Sequence, residues 1–313
     1  MTNDRDVTIL GAGSIGLSFA AVFADAGFRV TVCDPQADRR AQAEAGLAIQ
    51  RDAIRLAGLQ RGKAGQVAIA AESDKALDNC ALVIECGPET LEIKQAIFAD
   101  LLARCPANTI LVTASSAIPM SSILPVPEDQ RRCLVAHPVN PPAVLRMIEL
   151  CPAPGTEVGA LDLAAMLFAE AGFEAVRLGH EIEGFVLNRL QGAVLREAYR
   201  LVDEGVTDVA GIEAVMRLGL GPRWALSGPF ETAELNTPGG IRAHAARMGP
   251  AYARMGAARG ETVDWHAGLI NAVEAQCRST IAADRLPARA AWRARAVARL
   301  VAARDALMGD KSE

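Results

Sequence analysis

"VTILGAGSIGLSFAAVFADAGFRVTVCD", residues 7–34, decides the fold of this 313-residue chain. A short apolar strand turns through glycines, continues as a helix of apolar residues and small alanines, and closes on a second strand. This is one βαβ unit. Gly11, Gly13 and Gly16 stand in G-x-G-x-x-G spacing, with Ser14 and Ile15 between the second and third glycines. In that spacing the first glycine makes the tight turn, the second lets a pyrophosphate approach the backbone, and the third lets helix pack on strand. The helix N-terminus then turns its positive end toward the phosphates. Asp34 closes the second strand 18 residues past Gly16 (34 − 16). A carboxylate there accepts hydrogen bonds from an adenosine ribose and repels a 2′-phosphate, so the residues predict a dinucleotide site with NAD favoured over NADP. A purely structural βαβ turn is the alternative.

Outward from this unit, further strands are expected at 67–70, 81–86, 109–115 and 132–137, separated by alanine-rich helices. The alternation predicts a doubly wound, mostly parallel sheet. Ligands of such sheets gather beyond the carboxyl ends of the strands, and Glu85, Ser115 and His137 fall at that edge. After about residue 182 the pattern becomes wholly helical, with helices expected over 185–205, 207–218, 223–236, 238–257, 262–280 and 286–308. The length exceeds what one core usually supports. The predicted organisation is therefore an α/β domain over 1–182 and an all-α domain over 183–313.

Composition narrows the function. With 51% hydrophobic and 22% charged residues the chain is an ordinary globular sequence, and its longest apolar runs stop short of the roughly 18 residues of a membrane span. The start, "MTNDRDVTILGAG", is acidic where a signal peptide needs a basic region, which reads as cytoplasmic. A net charge of −5 argues against a nucleic-acid surface. In the arginine-rich stretch 285–304, Leu286, Trp292, Val297, Leu300 and Val301 recur in a helix-like pattern, so it reads as a solvated helix face. The seven cysteines are odd in number and form no CxxC pair, which predicts reduced thiols and no metal site.

"AHPVNPP", residues 136–142, delivers a histidine into a loop where Pro138, Pro141 and Pro142 each fix φ. A strand expected over 143–151 puts Glu149 twelve positions downstream of His137 (149 − 137). A carboxylate held against an imidazole fixes its tautomer. A positioned base that takes the proton of a secondary alcohol as hydride departs is worth roughly 10²–10⁴ in rate. His137 is the candidate base and Glu149 its partner; the alternative is a strand-capping histidine and an exposed glutamate. Ser115 and Ser116 are turn formers or hydroxyl donors to a substrate oxygen. Asn188, an indifferent helix former, shares a helix face with Gln191 and Leu195. His180, His244 and His266 read as structural.

Taken together, "ILGAGSIG", "VIECGPETLEIKQAIF", "ASS", "AHPVNPP" with "IEL", "EIEGFVLNRLQ" and "GLGPRWALSGPFET" resemble the 3-hydroxyacyl-CoA dehydrogenases over about residues 5–240, and within them the L-gulonate 3-dehydrogenase or lambda-crystallin branch. The resemblance implies an N-terminal Rossmann domain and a helical C-terminal domain that forms a homodimer. It places the family's catalytic histidine on His137, its glutamate on Glu149, its substrate-contacting serine on Ser115 and its asparagine on Asn188. Glu89 and Lys94 fall in the segment that runs along the cofactor. Two departures bear on substrate. Acyl-CoA members usually carry two aromatic residues after the histidine, where this chain has Pro138 and Val139. Arg223 stands where they have small residues, and a guanidinium binds a free carboxylate through two parallel hydrogen bonds; an interdomain or intersubunit salt bridge is its alternative role. The expectation is an NAD-dependent dehydrogenase of a small L-3-hydroxy acid, gulonate foremost. A 3-hydroxyacyl-CoA enzyme, an L-carnitine dehydrogenase and a crystallin-like NAD-binding structural protein are the alternatives.

Overall fold

The computed structural model describes residues 5–63, 65–259 and 266–289, together with 292 and 303. Most of the helix expected over 286–308, and the start of the one expected over 262–280, lie outside the described residues. Two compact units divide the chain, Met1–Val194 and Leu195–Glu313.

In the first unit the strands are β1 (Asp6–Leu10), β2 (Arg29–Cys33), β3 (Gln66–Ala70), β4 (Leu82–Glu85), β5 (Ile110–Thr113), β6 (Cys133–Pro138), β7 (Met147–Pro152) and β8 (Glu174–Arg177). The helices between them are α1 (Ser14–Asp25), α2 (Ala37–Leu56), α3 (Asp74–Leu77), α4 (Leu91–Arg104), α5 (Met120–Ile123) and α6 (Val158–Ala171). The sheet runs β3-β2-β1-β4-β5-β6-β7-β8. All neighbours are parallel except β6 and β7. Every residue of "LVIE", "ILVT" and "CLVAHP" is buried, as expected of parallel strands covered by helices on both faces. The small residues of α1 let it lie close on the sheet, while its Phe19 and Phe23 meet Phe28, Phe168 and Phe173 at centroid separations of 5.1–6.4 Å. These edge-on and tilted contacts add to the burial of the rings themselves.

In the first unit, two elements differ from the pattern reading. The expected strand over 143–151 begins only at Met147, because Pro141 and Pro142 start a turn in which the Val144 and Leu145 amides donate to the Pro141 carbonyl. The turn returns the chain antiparallel, in register His137↔Glu149. β8 carried no signal, since "EAVR" is a largely exposed edge strand without alternation. It follows α6, which Gly172 ends at φ 100°.

The division between units falls within α7 (Leu187–Asp203). The second unit continues with α8 (Val209–Ala214), a π-helical stretch Val215–Leu220, α9 (Gly221–Trp224), α10 (Pro229–Asn236), α11 (Gly240–Ala258) and α12 (Ala267–Thr280). The helix expected over 223–236 is split at Gly228, and Pro229, having no N–H to lose, restarts it. Asp208 caps α8 by accepting from the Gly211 amide at 2.8 Å.

Candidate active site

The glycine turn can be read from what each added Cβ would meet. On Gly11, at φ 113°, it would lie 2.7 Å from the Cys86 carbonyl oxygen; on Gly16, 2.0 Å from that of Gly11. Both glycines are required by backbone packing. On Gly13 the nearest atom would be Arg39 Nη1 at 4.0 Å, so the space above that residue is open. No side chain caps α1 at Gly13, which leaves its first amides for an anionic ligand. Asp34 is buried at the end of β2. Its Oδ2 accepts from the Ala12 amide and its Oδ1 from the Gln36 amide, each at 2.9 Å. The carboxylate thus locks the turn and keeps further lone pairs for ribose hydroxyls. Open space over Gly13, free helix amides and a buried acceptor fit a dinucleotide.

Beyond β4 and β5 lies a buried polar network. Glu85 accepts from Lys94 Nζ at 3.0 and 2.8 Å, from Thr113 Oγ1 at 2.6 Å and from the Gly87 amide at 2.6 Å. Lys94, equally buried, reaches Glu89 Oε2 at 3.4 Å. Glu89 Oε1 accepts from Ser115 Oγ at 2.6 Å and from the Ser116 and Ala117 amides at 2.9 and 3.1 Å. Burial opposes ionisation of Glu89, but the Ser115 hydrogen bond, the Lys94 charge and the two amides prevail and hold its carboxyl below the usual range.

The register that pairs Thr113 with Val135 runs on, two residues later, to Ser115 and His137 at adjacent strand ends. His137 Nδ1 lies 2.7 Å from Glu149 Oε2, with both side chains buried. Glu149 Oε1 accepts from the Val186 and Leu187 amides, each at 2.9 Å, at the start of α7. Burial again opposes ionisation, and the His137 hydrogen bond with the two amides overcomes it, so the Glu149 carboxyl sits below its ordinary value. Phe185, buried and at φ 48°, places its ring centroid 5.3 Å from that of His137. Asn188 Nδ2 donates to the Ser116 carbonyl at 3.0 Å.

His137, Glu149, Ser115, Glu89, Lys94 and Asn188 therefore gather at one sheet edge, beside the strand ends that carry Gly11 and Asp34. Arg223 belongs to the second unit, where its Nε donates to the Gly219 carbonyl at 3.2 Å. Glu85, Thr113 and Phe185 also hold the site together. Glu85 alone left a trace in the sequence, as an acid closing an apolar strand.

A family model described as 3-hydroxyacyl-CoA dehydrogenase, NAD binding domain, matches residues 6–182. The chain belongs to the 3-hydroxyacyl-CoA dehydrogenase family. The family's C-terminal domain matches residues 184–266. A lambda-crystallin homolog from Bos taurus is 36% identical over 295 residues, 92% of each chain. An L-carnitine dehydrogenase from Streptomyces griseus is 33% identical over 303 residues, 96% of this chain and 87% of that one. Among solved structures, 5-formyl-3-hydroxy-2-methylpyridine 4-carboxylic acid 5-dehydrogenase, an NAD+ dependent dismutase, has the same fold, with a TM-score of 0.73 at 24% identity over 90% of this chain and 98% of that one. The cofactor of this 3-hydroxyacyl-CoA dehydrogenase family member is NAD, and its reaction class is NAD-dependent oxidation of a 3-hydroxy group.

Proposed function

We propose that this enzyme oxidises the secondary alcohol of a small L-3-hydroxy acid to the 3-oxo acid, with gulonate the leading substrate and L-carnitine the second. The contact between His137 Nδ1 and a Glu149 held ionised by two helix amides carries the proposal. An ionised Glu149 accepts only, so His137 presents Nδ1–H to it and leaves Nε2 bare. Nε2 takes the hydroxyl proton, and the Glu149 carboxylate faces the positive charge that then forms on the ring. When bound, NAD supplies the hydride acceptor. Gly11, Gly13, Ser14, Ile15 and Gly16 would hold its pyrophosphate, Asp34 its ribose, and Glu89 and Lys94 its nicotinamide half. Ser115 and Asn188 would orient the reacting oxygen; the Ser115 hydroxyl donates to Glu89 in this structure, so it must turn to reach substrate.

A free acid is favoured over a thioester on sequence grounds, by Arg223 and by the pair Pro138 and Val139 in place of aromatics. The 33% identity to an L-carnitine dehydrogenase keeps a second 3-hydroxy carboxylate in view. The proposal includes a cytoplasmic homodimer. Seven free cysteines suit a reducing compartment, and the exposed Leu190, Leu195 and Tyr199 of α7 suit subunit pairing. The test is NADH formation with gulonate, L-carnitine, 3-hydroxybutyrate and 3-hydroxybutyryl-CoA, repeated with His137→Ala and Arg223→Met. Turnover of a free acid that collapses in the first variant and loses selectivity in the second supports the proposal. NADH binding with no turnover of any compound favours a structural protein.

A further inference from the structure

The start of α2 carries three charged side chains in succession. The helix opens Ala37-Asp38-Arg39-Arg40: the Asp38 carboxylate suits the positive end of the dipole, but two guanidinium groups follow it in the turn where the dipole repels cations. Such conflicts between local preference and position point to a role outside the helix, and both arginines stand at the adenosine end of the glycine cradle. Arg40 is anchored: its Nη1 donates to the carbonyls of Asp34 and Pro35, each at 2.8 Å. Arg39 is poised differently. Its Nη1 lies 3.9 Å from Asp34 Oδ2, beyond hydrogen-bond length, and is the nearest atom to the open space above Gly13. Its side chain is 48% exposed, and no hydrogen bond engages it among the described residues. A carboxylate that repels a 2′-phosphate is thus flanked by two planar forks shaped to grip one.

We propose that Arg39 and Arg40 form a latent site for the 2′-phosphate of an NADP-class dinucleotide, closed by the charge of Asp34 alone. The proposal rests on Asp34 being the ribose acceptor, and deepens that reading. With Asp34 present, its negative charge faces the incoming phosphate and its oxygens occupy the hydroxyl partners. With a neutral residue there, the Arg39 fork can turn onto the phosphate without leaving any existing hydrogen bond. Asp34→Ser keeps an acceptor for the Ala12 or Gln36 amide, so the turn retains a partner. Asp34→Asn offers the same through its amide oxygen and guards against a failure particular to serine.

The test is equilibrium binding of NADH and NADPH, followed by nicotinamide fluorescence, which needs no substrate. It is run on the wild type, Asp34→Ser, Asp34→Asn, and Asp34→Ser combined with Arg39→Ala, each checked for a folded thermal transition. The expected result is that both single variants raise the NADPH-to-NADH affinity ratio by roughly tenfold to a hundredfold, the worth of a charge-assisted hydrogen bond. Adding Arg39→Ala should remove most of that rise. A ratio in the double variant equal to that of Asp34→Ser would overturn the proposal alone. Unchanged NADH affinity in both single variants would overturn it together with the assignment of Asp34 to the ribose.

Discussion

Replacing Glu149 with glutamine removes one charge and almost no volume, and the site dictates how the amide must sit. Two backbone amides, of Val186 and Leu187, point at Oε1, and one imidazole N–H points at Oε2. If the glutamine oxygen faces His137, its NH₂ group confronts the two amides and leaves both without their acceptor, at a cost of about 1–3 kcal/mol for each that water does not reach. If the oxygen faces the amides, the NH₂ group donates to His137 Nδ1 and the ring shifts its proton to Nε2, a far smaller penalty. The second arrangement wins, and it fills the nitrogen that should receive the substrate proton. The loss expected is the value of the base, about 10²–10⁴ in kcat, or about 2.7–5.5 kcal/mol of barrier. Affinity for NADH should stay near that of the wild type, because neither Glu149 nor His137 belongs to the glycine cradle. Steady-state NADH formation on the best 3-hydroxy acid, paired with fluorescence titration of NADH, measures both quantities. A Glu149→Gln enzyme with kcat within about threefold of the wild type would refute the tautomer argument and the proposed base with it.

Other consequences can be checked separately. Gly16→Ala drives a Cβ into the Gly11 carbonyl and should cost about 2 kcal/mol or more in denaturant unfolding, whereas Gly13→Ala meets open space and should unfold like the wild type while binding NADH about tenfold more weakly. Lys94→Met strands the buried Glu85 carboxylate and should destabilise by about 3–5 kcal/mol, with part of the loss recovered on adding Glu85→Gln, as read from urea midpoints. Glu149 is depressed below its ordinary value of 4.5 when folded, so its stabilisation is complete above that pH and disappears as pH falls through the folded value. Thermal midpoints of wild type and Glu149→Gln, compared from neutral to about pH 3.5, should therefore converge in the acid range.

What the sequence made legible follows from where its physics is local. Three glycines, a strand before them and an acid at the end of the next strand define the βαβ unit without distant information, and continuous apolar runs betray strands buried on both faces. The offset of twelve between His137 and Glu149 became a contact only because a proline turn reversed the chain; a parallel return would have carried Glu149 away. β8 escaped notice because an exposed edge strand needs neither apolar alternation nor a turn signal. The hydrogen bond from Asn188 to Ser116 joins residues 72 positions apart, and no spacing rule announces that. Nor does any residue preference announce Phe185, since a left-handed backbone is expected of glycine and is uncommon for an aromatic residue.

Phe185 shows how the site holds itself together. A non-glycine residue in the left-handed region costs about 1–2 kcal/mol, and the chain accepts that cost directly after Gly184, itself at φ 78°. The return is geometric. This tight reversal presents two consecutive amides, Val186 and Leu187, to one carboxylate oxygen, while the Phe185 ring is buried against His137. The same carboxylate reaches the imidazole through its other oxygen. Glu149 therefore joins the strand pair that carries His137 to the start of the helix that carries Asn188, and each half restrains the other. On the proposed mechanism, a neutral Glu149 would relax its grip on both at once, so protonation of one buried carboxyl is expected to disturb the His137 tautomer and the start of the helix that carries Asn188 together.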